Sequence, residues 1–243
     1  MKKHSLLPLL ACAISAGLHS QLAKAAPASD PAAYKLLQSA YQTRQTLPDN
    51  FTGLDATVTF TEGTQTATGK FHYREGEKPS LEITGVSDDN VNWITHNARS
   101  ILVHRTAQNF DKADGAHPLQ FGESADNAPG KLIVHADEPH LSSRVVDNKV
   151  AELVRNEGNW WLTISVQKTM PADPGKYLNT DYTVAYHDKN TGELQRVDIF
   201  HDAYKHIGRV WLPSSRESIS FGKDYIPRQR TLQFSDIKLV LQK

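Results

Sequence analysis

Residues 181–200 read DYTVAYHDKNTGELQRVDIF, and this stretch decides the fold class. Tyr182, Val184 and Tyr186 recur at every second position, which places them on one face of a strand. The chain then reverses at a turn that contains Gly192, a residue that adopts the left-handed backbone conformation at no steric cost. The pattern therefore predicts two antiparallel strands joined by a tight turn.

Alternation of the same kind continues on both sides of this hairpin. Val197 and Ile199 alternate in the return strand, and further alternating runs occur at Leu54–Phe60 and Trp160–Val166. Such runs are typical of strands that are buried on one face and wet on the other. In the last predicted strand the apolar phase changes at Ser235–Asp236, which indicates a β-bulge.

Two segments show helical spacing instead. Asp30 and Pro31 favour a helix start, and apolar residues then follow one helical face as far as Leu47. The second segment, Val91–Val103, begins with a helical stripe but ends in the run Ser100–Val103, which is typical of a strand. We therefore expect one N-terminal helix and a short second helix that leads into a strand.

Together these patterns predict a mainly β fold. We expect a single antiparallel half-barrel or open curved sheet, with the N-terminal α-helix packed on it. Residues 110–130 are rich in Asp, Gly, Pro and Asn and have no sustained period, so we expect a long loop there. No internal repeat occurs at a fixed period, which argues against solenoid and propeller folds.

The N-terminus has the pattern of a signal peptide. Two lysines precede an apolar run, and Ala23-Lys24-Ala25 fits an A-x-A cleavage site. We expect removal of residues 1–25, a single β-rich domain over residues 26–243, and a periplasmic or secreted protein. The alternative is a lipoprotein signal, because the sequence LLAC at residues 9–12 loosely resembles a lipobox. No second apolar run approaches the ~20 residues that cross a bilayer, so we expect no transmembrane segment.

Charge and cysteine content argue against several classes of protein. The chain has 27 basic and 27 acidic residues, and cleavage after Ala25 removes three lysines and no carboxylate, which leaves a net charge of −3. Nucleic-acid binders normally carry a basic face, so we expect no nucleic-acid partner. The single cysteine, Cys12, lies in the predicted signal peptide. The mature chain should therefore have neither disulfides nor a thiolate metal site.

The sequence lacks the local signatures of common enzymes. It contains no G-x-S-x-G nucleophile motif, no H-E-x-x-H zinc motif and no glycine-rich phosphate loop. These absences favour a non-enzymatic protein without a cofactor. A catalytic triad assembled from residues distant in the sequence is still compatible with the composition.

A basic pair supplies the first candidate site. His104 and Arg105 follow an apolar segment and precede the long loop. Arginine holds a carboxylate or phosphate through two parallel hydrogen bonds, and histidine acts as an acid or base near neutral pH. The alternative, which we favour, is that Arg105 pairs with Asp111 or Glu123 and pins the loop. Arg44, on the predicted helix, has the same two interpretations of anchor and ligand contact.

Four aromatic residues form a second candidate set for ligand binding. Trp160, Tyr182, Tyr186 and Trp211 lie in predicted strands. Such residues line apolar pockets while their polar ends keep hydrogen-bond partners. The simpler interpretation, which we favour, is that most of them belong to the core.

Histidines beside carboxylates raise the question of a metal site. His201, Asp202 and His206 lie close in the sequence, as do His135 and His140. Neutral imidazole and carboxylate are the ligands that zinc or copper would use in a protein without cysteine. A spacing of five along a strand places two rings on opposite faces, however, so surface histidines are the favoured interpretation.

Several short motifs, in this order, resemble one protein family. They are Tyr41-Gln42-Thr43-Arg44, Phe51-Thr52-Gly53, Thr84-Gly85-Val86-Ser87-Asp88, His104-Arg105, Phe121-Gly122-Glu123 and Asp202-Ala203-Tyr204-Lys205-His206-Ile207-Gly208. The chain resembles the family catalogued as domain of unknown function 3386 over nearly the whole mature region. The resemblance implies no activity, cofactor or catalytic residue, because none is assigned to that family.

The order of elements also resembles the half-barrel of periplasmic lipoprotein carriers. The shared features are an N-terminal helix, a long antiparallel meander and an Asp-x-x-Thr-Gly-x-Leu turn, here at residues 188–194. In that fold a curved sheet and a helical lid enclose an apolar cavity that accepts acyl chains. The resemblance concerns architecture, and a fold does not fix a function.

These observations lead to one expected function and two alternatives. We expect an exported carrier-type protein that holds an apolar or amphipathic small molecule or lipid on the concave face of its sheet. The first alternative is a metal-handling protein or hydrolase-like enzyme that uses His104, Arg105, His201 and His206. The second is a structural or assembly partner that pairs through an exposed sheet edge.

Overall fold

The computed structural model describes residues 28–124 and 127–242, so the predicted signal peptide lies outside the described residues. Within that part of the chain, two α-helices and two short 3-10 turns accompany twelve strands. In chain order the elements are α1 (Pro31–Gln42), β1 (Phe51–Glu62), β2 (Gln65–Arg74), β3 (Ser80–Glu82), α2 (Asp88–Val103), the 3-10 turns Phe110–Lys112 and Asp114–Ala116, β4 (Leu119–Phe121), β5 (Lys131–His135), β6 (Glu138–Val146), β7 (Lys149–Glu157), β8 (Trp160–Pro171), β9 (Tyr177–Asp188), β10 (Leu194–Ile207), β11 (Val210–Phe221) and β12 (Pro227–Leu241).

These strands form one open antiparallel sheet. Their spatial order is β3-β2-β1-β12-β11-β10-β9-β8-β7-β6-β5-β4, so the chain runs as a meander whose last long strand pairs back onto the first. The sheet is not closed into a barrel, and three-residue strands, β3 and β4, lie at its two edges. The predicted mainly β fold with an open sheet and a packed N-terminal helix is confirmed.

The hairpin from which the fold was predicted has the expected turn. The carboxylate of Asp188 accepts hydrogen bonds from the backbone N–H groups of Asn190 (2.9 Å) and Thr191 (3.0 Å), and Gly192 has a φ of +73°. The predicted β-bulge in the last strand is also present. The pairing of β1 with β12 shifts register between Asp55 and Thr57, opposite the segment that contains Asp236.

One face of the sheet, which we call the inner face, runs continuously from β1 to β5. Residues directly opposite each other on neighbouring strands share a face, so the pairing register traces it across the sheet. In this order, members of the inner face are Phe60, Leu232, Arg216, Asp202, Phe200, Tyr182, Val184, Ile164, Leu153, Ser143 and Ile133.

Both helices pack on the inner face, at opposite ends. Helix α1 buries Ala33, Leu37 and Ala40 against a cluster that includes Leu119 and Ile133. Helix α2 packs against the other end of the sheet, where its contacts are with strands β1, β2, β11 and β12. The buried residues of that second cluster include Phe60, Phe71, Ile94, Ala98, Ile101, Leu102 and Leu232. The central strands therefore lie between two separately packed ends.

Helix α1 begins as predicted but is shorter. The Asp30 carboxylate accepts hydrogen bonds from the N–H groups of Ala32 (2.7 Å) and Ala33 (3.3 Å), and Pro31 follows as the first helical residue. The helix ends at Gln42, so the predicted extension to Leu47 and the placement of Arg44 on the helix are wrong.

In the segment Thr43–Leu47, which we call the strap, Thr43 and Arg44 still donate to the last turn of α1, and tertiary hydrogen bonds then replace helical ones. The N–H of Gln45 donates to the carbonyl of Tyr177 (2.8 Å), and the N–H of Leu47 donates to the carbonyl of Arg105 (2.8 Å). The strap thereby joins the start of β9 to the end of α2. Since Leu47 is 3% exposed and packs in the α2 cluster, its helical spacing in the sequence was coincidental.

Helix α2 is longer than predicted. It starts at a Ser87 cap, whose hydroxyl accepts from the Asn90 N–H, and it stays helical through Val103, so the predicted strand at Ser100–Val103 is wrong. The helical stripe continues into that run because Ile101 and Leu102 are both buried against the sheet. Within the described residues, neither helix has the length and apolarity required to span a bilayer.

The packing under α2 generates a stability prediction. Leu232 is fully buried in the α2 cluster, so Leu232→Ala should lower the free energy of unfolding by about 2–5 kcal/mol, through lost burial and the cavity left behind. Ile226 is 64% exposed, and Ile226→Ala should change it by less than about 0.5 kcal/mol. Urea unfolding of both variants measures the difference, and equal losses would contradict the described core.

Candidate functional site

A separate apolar cluster lies between the two packed ends of the inner face. Leu162, Val184 and Phe200 are its buried members, and they belong to β8, β9 and β10. Three partly buried side chains, Ile164, Tyr182 and Tyr186, pack against them. We call these six residues the central cluster. It is distinct from the clusters under α1 and α2, so neither helix covers it as part of its own core.

Aromatic rings form much of the central cluster. Tyr182 stacks on Phe200 with centroids 5.0 Å apart, and the guanidinium of Arg196 lies 3.9 Å from the centroid of the Tyr186 ring. Trp160 is in the same strand phase as Leu162 and lies opposite Asp188, at the turn end of the face, where it is 39% exposed. The sequence-predicted residues Trp160, Tyr182 and Tyr186 thus lie along one line of the inner face.

A buried ion pair lies next to the central cluster. Arg216 and Asp202 are 2% and 1% exposed, and the guanidinium holds both carboxylate oxygens at 2.7 Å. The same guanidinium donates to the Ser100 hydroxyl of α2 (2.8 Å) and to the hydroxyl of Tyr182. This network fastens α2 to β9, β10 and β11.

Electrostatics keep the Arg216 side chain of this pair charged. Burial by itself would lower the pKa of Arg216, but the adjacent Asp202 carboxylate more than offsets this and raises that pKa above its ordinary value. Burial raises the pKa of Tyr182 well above its ordinary value, so its hydroxyl stays protonated and donates to Asp202 (3.1 Å). The middle of the inner face therefore holds a buried guanidinium cation beside one carboxylate.

The strap end of the inner face gathers three of the predicted binding residues. Arg44 of the strap donates from Nη2 to the carbonyl of His104 (2.8 Å), and its guanidinium lies 5.3 Å from the centroid of the Tyr41 ring. His104 and Arg105 follow the last residue of α2. The structure therefore brings together Arg44, His104 and Arg105. The Arg44 side chain anchors the strap through its hydrogen bond to the backbone carbonyl of His104.

Arg105 is buried without a hydrogen-bond partner for its side chain. It is 6% exposed, and none of its three guanidinium nitrogens has a partner among the described residues. The guanidinium lies 5.2 Å from the centroid of the Tyr204 ring. It does not pair with Asp111 or Glu123, so the favoured sequence interpretation is not what the structure shows; Asp111 accepts from Tyr34 instead.

His104 titrates in a cationic environment. Its side chain is exposed by surface area, yet the surrounding protein still desolvates it, and the nearby Arg216 and Arg44 charges oppose its protonation. Desolvation is the largest cause, and together these effects lower the pKa of His104 to about 4. The imidazole is therefore neutral at physiological pH.

The other predicted residues lie apart from the central cluster. Trp211 donates from Nε1 to the Asp173 carboxylate (3.2 Å) and packs on His206 with ring centroids 3.8 Å apart. His201 is exposed and pairs with Asp181 (2.7 Å), whereas Asp202 points to Arg216. The structure does not bring His201, Asp202 and His206 together. Among residues 28–124 and 127–242, no group of three His, Cys, Asp or Glu side chains is placed to hold a metal ion.

Sequence reasoning missed several residues of the site. Phe200 and Arg216 were not singled out, and Asp202 was assigned to a metal instead of an ion pair. A signal existed: Asp202 alternates with Phe200 in β10, in phase with it along the same strand. Two crevices of about 450 and 530 Å³ lie elsewhere, beside Glu62 and Arg228 and beside Asp30 and Phe121 respectively.

The fold and the inner face define an open-sheet β protein in which two helices leave a central aromatic and apolar cluster between them. The chain belongs to the protein family of unknown function DUF3386, whose model matches residues 28–240. This confirms the family resemblance seen in the sequence. No curated protein matches the chain.

Three solved structures are similar to this chain at low scores. A putative outer membrane lipoprotein-sorting protein domain from Vibrio parahaemolyticus is 10% identical, with 86% of this chain and 92% of that chain covered and a TM-score of 0.28. A LolA superfamily protein from Nitrosomonas europaea is 8% identical (87% and 94% covered, TM-score 0.28). A DUF1329 family protein from Desulfovibrio piger ATCC 29098 is 9% identical (86% and 92% covered, TM-score 0.30). At such scores these likenesses carry no conclusion about the function of this chain.

The buried ion pair generates a prediction with a matched control. Asp202→Asn leaves the Arg216 cation buried without its counterion, so the free energy of unfolding should fall by about 3–5 kcal/mol. Asp181 pairs with the exposed His201, and Asp181→Asn should cost less than about 1 kcal/mol. Both variants are measured by urea unfolding at neutral pH. A small loss in Asp202→Asn would show that α2 is held mainly by its apolar contacts.

The cationic environment of His104 generates a pH prediction. Because its pKa is lower in the folded protein than in the unfolded chain, stability should fall as pH drops from about 6.5 towards 4. An NMR titration of the imidazole should give a midpoint near 4, and Arg44→Met should raise it. Arg209→Met, at an exposed turn residue, should leave it unchanged. A midpoint at the ordinary value of 6.5 would contradict the described environment.

Proposed function

We propose that the protein is an exported, non-enzymatic carrier that holds an apolar or amphipathic molecule on the inner face of its sheet. The ligand lies over strands β8, β9 and β10, between helix α1 on one side and helix α2 on the other. Export rests on the signal peptide predicted from residues 1–25. The enzyme alternative has no comparable support, because His104, His201 and His206 do not converge.

The observation that carries this proposal is the central cluster. Ile164, Tyr182 and Tyr186 remain partly exposed on a face whose two ends are each covered by a helix. Partly exposed apolar and aromatic surface between two covered ends is typical of a binding site for an apolar ligand. Trp160 lies at the turn end of the inner face, where the ligand would enter. Its indole is amphipathic, and its apolar part would contact the ligand.

The strap gives this face a closed end and an open end. Its backbone bonds to Tyr177 and Arg105 join the start of β9 to the segment that follows α2. At the other end, β9 and β10 are joined by an exposed turn at residues 188–193. A ligand would therefore enter from the turn end and stop at the strap.

Two isoleucines on opposite faces of the sheet test the site. Ile164 lies on the inner face opposite Val184, and Ile199 is 42% exposed on the outer face. We expect the purified protein to bind the uncharged fluorophore N-phenylnaphthylamine saturably. Ile164→Ser should weaken this binding roughly tenfold, because one buried aliphatic contact is lost. Ile199→Ser should bind as tightly as the unaltered protein.

Thermal unfolding of both serine variants must show that they remain folded at the assay temperature. Absence of saturable fluorescence in the unaltered protein, or equal binding by both folded variants, would reject the inner face as the site. Native mass spectrometry of protein isolated from the exported compartment gives an independent readout. Extra mass that disappears on denaturation would then identify the class of bound molecule.

A further inference from the structure

Arg105 is a buried cation that apolar binding alone does not explain. Its side chain is 6% exposed, and Nε, Nη1 and Nη2 all lack a hydrogen-bond partner within the described ranges. Removing a charge from water without a counterion or hydrogen bonds is strongly unfavourable. A protein retains such a group where a partner outside the chain completes it, as at binding sites for anions.

The carboxylates nearest to Arg105 are already engaged. Asp202 and Asp173 act on it electrostatically, but Asp202 is held by Arg216 and Asp173 accepts from Trp211. The Tyr204 ring supplies a cation–π contact at 5.2 Å. Such a contact replaces only part of the lost hydration and satisfies none of the guanidinium N–H groups. The donors of Arg105 thus have no hydrogen-bond acceptor among the described residues.

The position of Arg105 fits the proposed ligand path. Tyr204, over which the guanidinium lies, follows Phe200 and Asp202 in the same phase of β10. Tyr204 is the fourth residue after Phe200 in the strand, which corresponds to a distance of roughly 13 Å at the usual rise per residue. The cation therefore lies at the strap end of the same line on which the central cluster lies.

We propose that Arg105 binds the acidic headgroup, a carboxylate or phosphate, of an acyl-chain amphiphile whose tail lies on the central cluster. The proposal rests on the carrier function and specifies its ligand class. The planar guanidinium fork matches the two oxygens of a carboxylate or phosphate. An uncharged ligand of the same length would leave the guanidinium without a partner.

Matched ligands test the headgroup separately from the tail. We would measure, by displacement of N-phenylnaphthylamine, the affinities of hexadecanoic acid, hexadecyl phosphate and hexadecanol. The unaltered protein should bind at least one acid at least tenfold more tightly than the alcohol. Arg105→Met should abolish this preference and leave the affinity for hexadecanol within about twofold. Arg209→Met removes an exposed cation at the β10–β11 turn and should retain the preference.

The outcomes separate this inference from the carrier function. If neither acid nor the alcohol binds, both the carrier function and the role of Arg105 are rejected. If both acids and the alcohol bind equally well, or if Arg105→Met keeps the preference, the carrier stands and the role of Arg105 is rejected. Inorganic phosphate alone should displace nothing at millimolar concentration. If inorganic phosphate displaced N-phenylnaphthylamine as completely as hexadecyl phosphate does, the proposed contribution of the tail to binding would be rejected.

A stability readout distinguishes a binding role from a structural one. Methionine is an apolar replacement of similar length, so Arg105→Met should raise the melting temperature of the ligand-free protein by about 2–8 °C. Hexadecanoic acid should then raise the melting temperature of the unaltered protein more than that of the variant. A fall in the melting temperature of the ligand-free variant would show that Arg105 is satisfied by the fold and would overturn the proposal.

Discussion

The ion pair between Arg216 and Asp202 determines where each part of the inner face lies. It is buried between the sheet and α2, and its remaining donors and acceptors are taken by Tyr182 and by Ser100. Because a buried charge without its partner is very costly, β9, β10, β11 and α2 must meet at this point for the protein to fold. Helix α2 is therefore fixed to one side of the face, and the central strands remain between it and α1.

The same ion pair divides the inner face into chemically different regions. On the turn side, the central cluster is apolar and aromatic, with Phe200 stacked on Tyr182. On the strap side lie Arg105, whose guanidinium has no hydrogen-bond partner among the described residues, and His104, whose pKa is lowered by desolvation and by the Arg216 and Arg44 charges. An amphipathic molecule has the same division between tail and headgroup. Burial of the tail and recognition of the charged headgroup would thus contribute to the binding affinity at opposite ends of one ligand.

The fold could be predicted largely from the sequence because its strands alternate and its turns use specific residues. Asp188 and Gly192 define a hairpin by local chemistry alone. Which face of β10 is covered was harder to predict. Val197 and Ile199 are apolar and alternate along the strand, but they lie on the outer face, where Ile199 is 42% exposed. The inner phase of that strand carries Asp202, and only its long-range pairing with Arg216 marks it as buried. Alternation identifies a strand, but it does not decide which face is covered.

The missed features of the site depend on contacts between distant segments. Leu47 continues the helical spacing of α1, but the strap leaves the helix because its N–H groups bond to Tyr177 and Arg105. Arg105 was expected to pair with a nearby acid, as most arginines beside an acidic loop would. The loop acids bond elsewhere: Asp111 accepts from Tyr34. No local pattern predicts that an arginine will be buried with no hydrogen-bond partner for its side chain among the described residues, as Arg105 is.

The short strands at the two ends of the sheet have a consequence for behaviour at high concentration. An open sheet has unpaired backbone groups along each edge, and a long edge acts as a template on which another chain can add a strand. Here the edges are β3 and β4, which have three residues each, while the strands of ten to fifteen residues all lie further in. The terminal strands are therefore too short to act as long templates, although β3 pairs with only Lys70, Phe71 and His72 of β2.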